Sequence, residues 1–156
     1  YIRDRGLGSE ELKHIMLSPS LEDYLEEIYR ISQSGVSIRV TDVASCLNVS
    51  LPSVTNALKK LDDSDYIKYR RYRDIILTEK GKELGSFLVE RNRVIREFLI
   101  RIGSVCDVVA EAEAMEHYLS LPTITAIINF VKFTEQNPLW LEEYKRFVLA
   151  NKKPDM

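Results

Sequence analysis

The sequence predicts a mainly α-helical chain, two helical parts with one short β-hairpin between them, and three observations carry that prediction. Apolar residues recur at three- and four-residue spacing over most of the chain, which is the helical period. One stretch, Tyr66 to Thr78, breaks that pattern with tyrosines and isoleucines around a polar centre, as a hairpin does. Gly35, Gly103, Pro122 and Pro138 punctuate the remaining helical patterns.

Taken in order, residues 1–18 mix charged and apolar groups with Gly6 and Gly8, and read as an N-terminal extension with a possible short helix from Glu10 to Met16. Ser20 then fits the cap of an amphipathic helix whose apolar positions are Leu21, Tyr24, Leu25, Ile28 and Ile31, ending before Gly35. Two short helices follow, Val40 to Leu47 and Leu51 to about Ser64, separated by the turn Asn48-Val49-Ser50. In the second, Val54, Ala57, Leu58 and Leu61 make one apolar stripe, and Ser53, Thr55, Asn56, Lys59 and Lys60 lie on the other side. Ser50 is a suitable N-cap, and Pro52 sits in the first turn, where its missing N–H costs little.

A short helix, a three-residue turn and a second helix with a polar outer face describe a helix-turn-helix. A hairpin directly after it is the wing of a winged helix. Thr78 is placed to cap a long helix that carries Leu84, Phe87, Leu88, Ile95, Phe98, Leu99 and Ile102 on one face and stops at Gly103. So long a helix in so small a protein points to packing against a second subunit. Three more helical patterns follow, about Val105 to Leu119, Thr123 to Thr134 and Leu139 to Leu149. The predicted organisation is an extension (1–18), a winged helix (19–80), a helical domain (81–150) and a frayed tail (151–156).

Composition narrows the class. With 45% apolar and 29% charged residues, the chain reads as one or two small globular domains with a real core. The apolar run from Leu121 to Val131 contains Pro122, Thr123, Thr125 and Asn129 and falls short of the ~20 residues of a bilayer span. Two cysteines, Cys46 and Cys106, make no disulfide framework or zinc motif, and no signal-peptide apolar stretch is present. A soluble, cytoplasmic protein without a membrane partner is the expectation.

Lys and Arg number 22 and Asp and Glu 24, a formal net charge of -2, yet the charge is unevenly spread. Lys68, Arg70, Arg71 and Arg73 stand in the hairpin with no acidic residue from Tyr66 to Arg73, and Lys59 and Lys60 add to them from the helix before it. Cations on a helix-turn-helix and its wing point to duplex DNA, with phosphates neutralised by Lys and Arg and base edges met by the second helix. A solvated hairpin whose charges protect its edge from aggregation, or a winged helix used for protein docking, is the competing reading.

Asp107, Glu111, Glu113 and Glu116 form the acidic counterpart, without Lys or Arg from Gly103 to Glu116. Glu113, Glu116 and His117 fall at i, i+3 and i+4, on one helix face, and offer a donor set for a divalent cation. Asp23 and Glu26, also at i and i+3, offer two more oxygens from the first helix. Brought together, these four carboxylates would repel one another unless protonated or bridged by a metal. Acidic pairs at that spacing also occur on solvated helix faces, so spacing leaves both readings open.

The run Ser18-Pro-Ser-Leu-Glu-Asp-Tyr-Leu-Glu-Glu-Ile-Tyr29, the helix-turn-helix from Val40-Thr-Asp-Val-Ala through Pro52-Ser-Val-Thr, the wing Tyr72-Arg-Asp-Ile-Ile-Leu-Thr-Glu-Lys-Gly81 and the segment Glu113-Ala-Met-Glu-His-Tyr-Leu-Ser120 resemble the diphtheria-toxin-repressor family, most closely its manganese-transport-regulator branch. The match runs in order from about Ser18 to Phe147. The resemblance implies a homodimeric, metal-activated transcription factor with an N-terminal winged helix and a helical dimerisation domain, binding a double-stranded operator.

It further implies metal ligands at Asp23, Glu26, Asn92, Glu113, Glu116 and His117. Position 92 departs from the branch, which has histidine where this chain has Asn92. A carboxamide oxygen can take a hard cation but is a poorer donor than imidazole toward softer ones, so either an oxygen-rich pair of sites or a single site around Glu26, Glu113, Glu116 and His117 follows. Asp23 and Glu116 stand where iron-responsive relatives use sulfur-containing residues, which favours Mn²⁺, with Fe²⁺ or another divalent transition metal able to compete.

The implied function is a metal-responsive regulator, a repressor of metal-uptake genes, in which a cation joins the first helix to the dimerisation domain and relieves repulsion among the carboxylates. Ser53, Thr55, Asn56 and Lys59 are candidates for base or nearby phosphate contacts, and Lys60, Lys68, Arg70, Arg71 and Arg73 for phosphate or minor-groove contacts. Asp74 replaces the small wing-tip residue of close relatives. The alternatives are a metal-independent winged-helix regulator and a winged-helix interaction module. The sequence has no Gly-rich phosphate loop, nucleophile elbow or zincin motif, so an enzyme is not expected.

Overall fold

The structure, a computed structural model, describes residues 17–70 and 74–151. In chain order the elements are α1 (Pro19–Ser32), α2 (Val40–Leu47), α3 (Leu51–Asp63), β1 (Ile67–Lys68), β2 (Ile76–Leu77), α4 (Glu79–Arg101), α5 (Val108–Glu116), α6 (Leu121–Gln136) and α7 (Pro138–Ala150). The mainly helical class with one small hairpin is thus the one the sequence predicts. The chain divides into two compact units, residues 1–86 and 87–156, and the boundary falls within α4.

The first unit is built from three short helices and the hairpin. The predicted stripe of α3 is buried in full, with Val54, Leu58 and Leu61 at 0% exposure and Ala57 at 5%. It packs with Leu25 and Ile28 of α1 and Val43 of α2 in the buried core of this unit. Full burial of side chains this size contributes about 1.5–3 kcal/mol each. Asn48 closes α2 in the left-handed region (φ 52), a conformation Asn tolerates better than most residues and one that lets α3 start within three residues. Asp42 secures the other end of α2, accepting the Arg39 backbone N–H at 2.9 Å.

The hairpin is shorter than its sequence pattern implied. β1 and β2 pair antiparallel in the register Ile67 with Leu77 and Lys68 with Ile76, and Ile75 adds a bridge to Ile38 ahead of α2. Ile67 and Leu77 face inward while Lys68 and Ile76 face out. The base of the hairpin is fastened to α4 by Thr78, whose backbone N–H donates to the Tyr66 carbonyl at 3.1 Å and whose hydroxyl accepts the Gly81 N–H at 3.0 Å. Gly81 is required there: a Cβ would lie 2.9 Å from the Tyr66 carbonyl carbon and closer still to its oxygen.

In the second unit, Ile95, Leu99, Ala112 and Ile124 form one buried cluster, and Val94, Ile127 and Val131 a neighbouring one. Gly103 (φ +72) ends the chain's run out of α4. On α7, Trp140 packs on Phe130, Phe133 and Tyr144, with ring centroids 6.0, 5.3 and 5.7 Å away.

Several boundaries differ from expectation, among them the end of α5, which stops at Glu116 and not Leu119. The cap of α1 is Ser18 and not Ser20, because Pro19, which lacks an N–H and has a preset φ, takes the first helical position. α5 begins at Val108 and not Val105, because the Asp107 carboxylate accepts the Val109 and Ala110 N–H groups at 3.1 and 3.2 Å. α6 extends to Gln136 from a Ser120 cap, beyond the predicted Thr134. Among the described residues no helix is long and apolar enough to cross a membrane.

Candidate functional site

The outer face of α3 is set by its cap. Ser50 Oγ accepts the Ser53 N–H at 3.4 Å and meets the Ser53 hydroxyl at 2.8 Å, so both serines lie at the exposed start of the helix. Ser53, Asn56, Lys59 and Lys60 are exposed, as the sequence predicts for groups that meet a duplex. Thr55 is half-buried, and its hydroxyl proton goes to the Leu51 carbonyl at 3.0 Å, which leaves the oxygen as an acceptor toward solvent.

In the wing, Arg70 and Asp74 are exposed, and Arg71 and Arg73 lie outside the described residues. Lys68 is exposed but paired with Asp65, three residues earlier. Their hydrogen bond holds the Asp65 carboxyl below its ordinary value and raises the Lys68 ammonium above its own, so both stay charged at neutral pH. Lys80, which sequence reasoning passed over, lies 4.1 Å above the Tyr66 ring and donates to the Ser64 carbonyl at 2.9 Å, so it braces the base of the wing.

The acidic candidates divide between the units. Asp23 and Glu26 stand one turn apart on α1 in the first unit. Glu26 is 9% exposed, and its Oε1 accepts two hydrogen bonds from Arg30, from Nε at 3.2 Å and from the terminal guanidinium nitrogen at 2.5 Å. In the second unit the chain brings three candidates together. Glu116, 4% exposed at the last position of α5, accepts a hydrogen bond at Oε2 from Asn92 Nδ2 at 3.0 Å. Arg91 Nε stands 3.9 Å from the same oxygen, and His117 Nε2 stands 3.8 Å from the other, Oε1.

His117 lies just past the end of α5 and not within the helix, but its right-handed backbone (φ -82, ψ -15) continues the turn and keeps it beside Glu116. Glu113, one turn earlier, is exposed.

One expectation needs correction. Glu26 and Glu116 are not naked charges held apart by repulsion, because Arg30 and Arg91 stand beside them within their own units. Arg30 follows Glu26 by four residues and was legible as an i, i+4 pair. Arg91 is 25 residues from Glu116 and carries no local signal. Asn92, by contrast, is buried, with 3% of its surface exposed.

The donor set suits a first-row divalent cation. Glu116 Oε1 and His117 Nε2 offer a hard oxygen and an imidazole nitrogen, and two ligands about 2 Å from one such ion are themselves about 3–4 Å apart. Cys106 belongs elsewhere: it packs against the Ile95–Leu99 cluster, with the Ser104 hydroxyl 3.3 Å from its sulfur.

The sequence matches two family profiles in tandem. Residues 16–75 match the iron dependent repressor N-terminal DNA binding domain, and residues 78–142 the iron dependent repressor metal binding and dimerisation domain. Among curated proteins, the chain is 39% identical to the HTH-type transcriptional regulator MntR of Listeria welshimeri over 141 residues, 90% of this chain and 98% of that protein. The MntR of Shouchella clausii is 36% identical over 141 residues, 90% of this chain and 99% of that one. Among solved structures, the manganese regulator SloR superposes with a TM-score of 0.65 at 30% identity, over 75% of this chain and 55% of that longer one.

Proposed function

The chain belongs to the iron-dependent repressor family and is a metal-dependent, DNA-binding transcriptional regulator that acts as a homodimer; on that premise we propose that Mn²⁺ is its activating cation and that it represses metal-uptake genes. It is a regulator and not an enzyme. The observation that carries the metal reading is the buried Glu116 carboxylate with His117 Nε2 3.8 Å from its Oε1, a mixed hard-oxygen and imidazole pair. The proposed ligand set adds Glu113 from the same segment and Asp23 and Glu26 from α1. We place the protein in the cytoplasm, where the DNA it controls is found.

A bound cation would supply positive charge at these carboxylates. The chain's own residues do the rest. Arg30 and Arg91 set positive charge beside Glu26 and Glu116 in the metal-free protein, so the two donors are held in place before a cation arrives. Ligands drawn from α1 as well as from the second unit would tie the two together and so fix the spacing of the two α3 helices in the dimer, which must match successive major grooves. On the duplex, Ser53, Thr55 and Asn56 would meet base edges, while Lys59, Lys60 and the wing cations Lys68, Arg70, Arg71 and Arg73 would neutralise phosphate. Lys68 brings Asp65 with it, so it contributes less net charge than its neighbours.

The test is a titration of Mn²⁺ into the protein mixed with a duplex selected from a random pool. Retention of the duplex that rises with Mn²⁺ and is abolished in Glu116→Gln supports the reading. Equal retention with chelator and with Mn²⁺ overturns it.

A further inference from the structure

We infer that Asn92 is a positioning residue for Glu116 and not a metal ligand, so that each chain seats one cation, at Glu116 Oε1 and His117 Nε2; the inference rests on the metal reading given above. An ionised carboxylate only accepts hydrogen bonds, so the edge of the Asn92 amide turned toward Glu116 must be its N–H edge. That contact, Nδ2 to Oε2 at 3.0 Å, sets the amide nitrogen, whose lone pair is delocalised and not available to a metal, on the Glu116 side, and turns Oδ1, the one amide atom able to take a cation, to the opposite edge of the carboxamide. A ligating histidine at this place would offer a lone pair instead. The substitution therefore converts a metal donor into a hydrogen-bond donor.

The two oxygens of Glu116 are thereby made unlike. Oε2 faces Asn92 Nδ2 and, 3.9 Å away, Arg91 Nε, both carrying donor hydrogens. Oε1 faces His117 Nε2. Asn92 and Glu116 are 3% and 4% exposed, so the contact is shielded from water and holds the carboxylate in one rotation. Partners that orient a ligand in this way set metal affinity without touching the metal, and their loss typically costs about 10- to 100-fold in affinity.

The test compares the native protein with Asn92→Ala by calorimetric Mn²⁺ titration, with free Mn²⁺ counted by electron paramagnetic resonance, and adds thermal melting of both proteins in chelator. The expected result is one equivalent per chain in both proteins, about 10- to 100-fold weaker in the variant, with a lower melting temperature for the metal-free variant. That last shift separates positioning from ligation, because a pure ligand contributes nothing when no metal is present. Two equivalents in the native protein falling to one in Asn92→Ala would make Asn92 a ligand and overturn the inference while leaving the metal reading intact. Unchanged affinity and melting in the variant would overturn it as well. No Mn²⁺ binding by the native protein would remove the metal reading and this inference with it. Should Asn92→Ala fail to fold, the native stoichiometry still decides between one cation and two.

Discussion

Replacing Gly81 by alanine should damage the winged unit far more than its single added methyl suggests. The new Cβ would sit 2.9 Å from the Tyr66 carbonyl carbon, nearer its oxygen, and 3.1 Å from Leu77 Cδ2, where ordinary contacts begin at 3.4 Å. The obstacle is backbone, so it cannot rotate away. The Tyr66 carbonyl accepts the Thr78 N–H at 3.1 Å and lies 3.0 Å from the Thr78 hydroxyl, and both contacts fasten the return strand of the hairpin to the first. Losing them costs about 1 kcal/mol each, and overpacking adds about 1–3 kcal/mol. The helix propensity of alanine returns about 1 kcal/mol. The net is about 2–4 kcal/mol, which for a unit of this size lowers the melting temperature on the order of 10–20 °C. Circular-dichroism melts of Gly81→Ala, with Ser86→Ala as an exposed control in the same helix, measure it. Duplex affinity should fall in parallel, because the wing is built on this joint. A Gly81→Ala protein that melts within about 2 °C of the native one would refute the close approach of α4 to the hairpin.

Other expectations follow from the same description. Lys59→Ala and Lys60→Ala should each weaken duplex binding uniformly across sequences and flatten its dependence on salt by about one unit of log–log slope, whereas Asn56→Ala should relax sequence preference; an unchanged salt slope would remove the lysines from the phosphate contact. Arg91→Leu leaves Glu116 buried with Asn92 still donating, so the metal-free protein should lose about 2–3 kcal/mol in urea unfolding, and Mn²⁺ should narrow the gap. The Glu90 carboxyl is held below its ordinary value of 4.5, first by hydrogen bonds from the Arg93 guanidinium at 2.8 Å. A depressed carboxylate stabilises above its ordinary value and loses that contribution as pH falls through the lower folded value. Glu90→Gln should therefore flatten the acid limb of the stability profile below pH 4.5, and cost less than about 1 kcal/mol at neutral pH because the pair is partly exposed. An acid limb of unchanged steepness would count against the pair.

What could be read from the sequence was what repeats. Val54, Ala57, Leu58 and Leu61 share a face by period alone, and the structure buries all four. Class, element order and hairpin followed from the same patterns. Local chemistry is partly legible: Ser50 caps α3 as its position predicts, while α1 is capped by Ser18 and not Ser20, since Pro19 between them marks the first helical position. Asp107 carries the cap signal of α5, and the apolar Val105 two residues before it extends the helical period without extending the helix. The candidate site was legible in residue type and not in environment. Glu113 and Glu116 are the same residue one turn apart, yet one is exposed and the other buried, a difference made by what α4 brings to the end of α5. Arg91 escaped notice for the same reason, since its partner lies in another helix.

The account stands most directly on whether metal controls DNA binding. Fluorescence anisotropy of a labelled duplex, selected from a random pool, should be recorded against increasing native protein at one fixed salt concentration, once with chelator and once with saturating Mn²⁺. The account predicts tight binding with Mn²⁺ and a large loss of affinity without it, with Glu116→Gln resembling the chelated protein in both conditions. Superimposable curves with and without Mn²⁺ would contradict it.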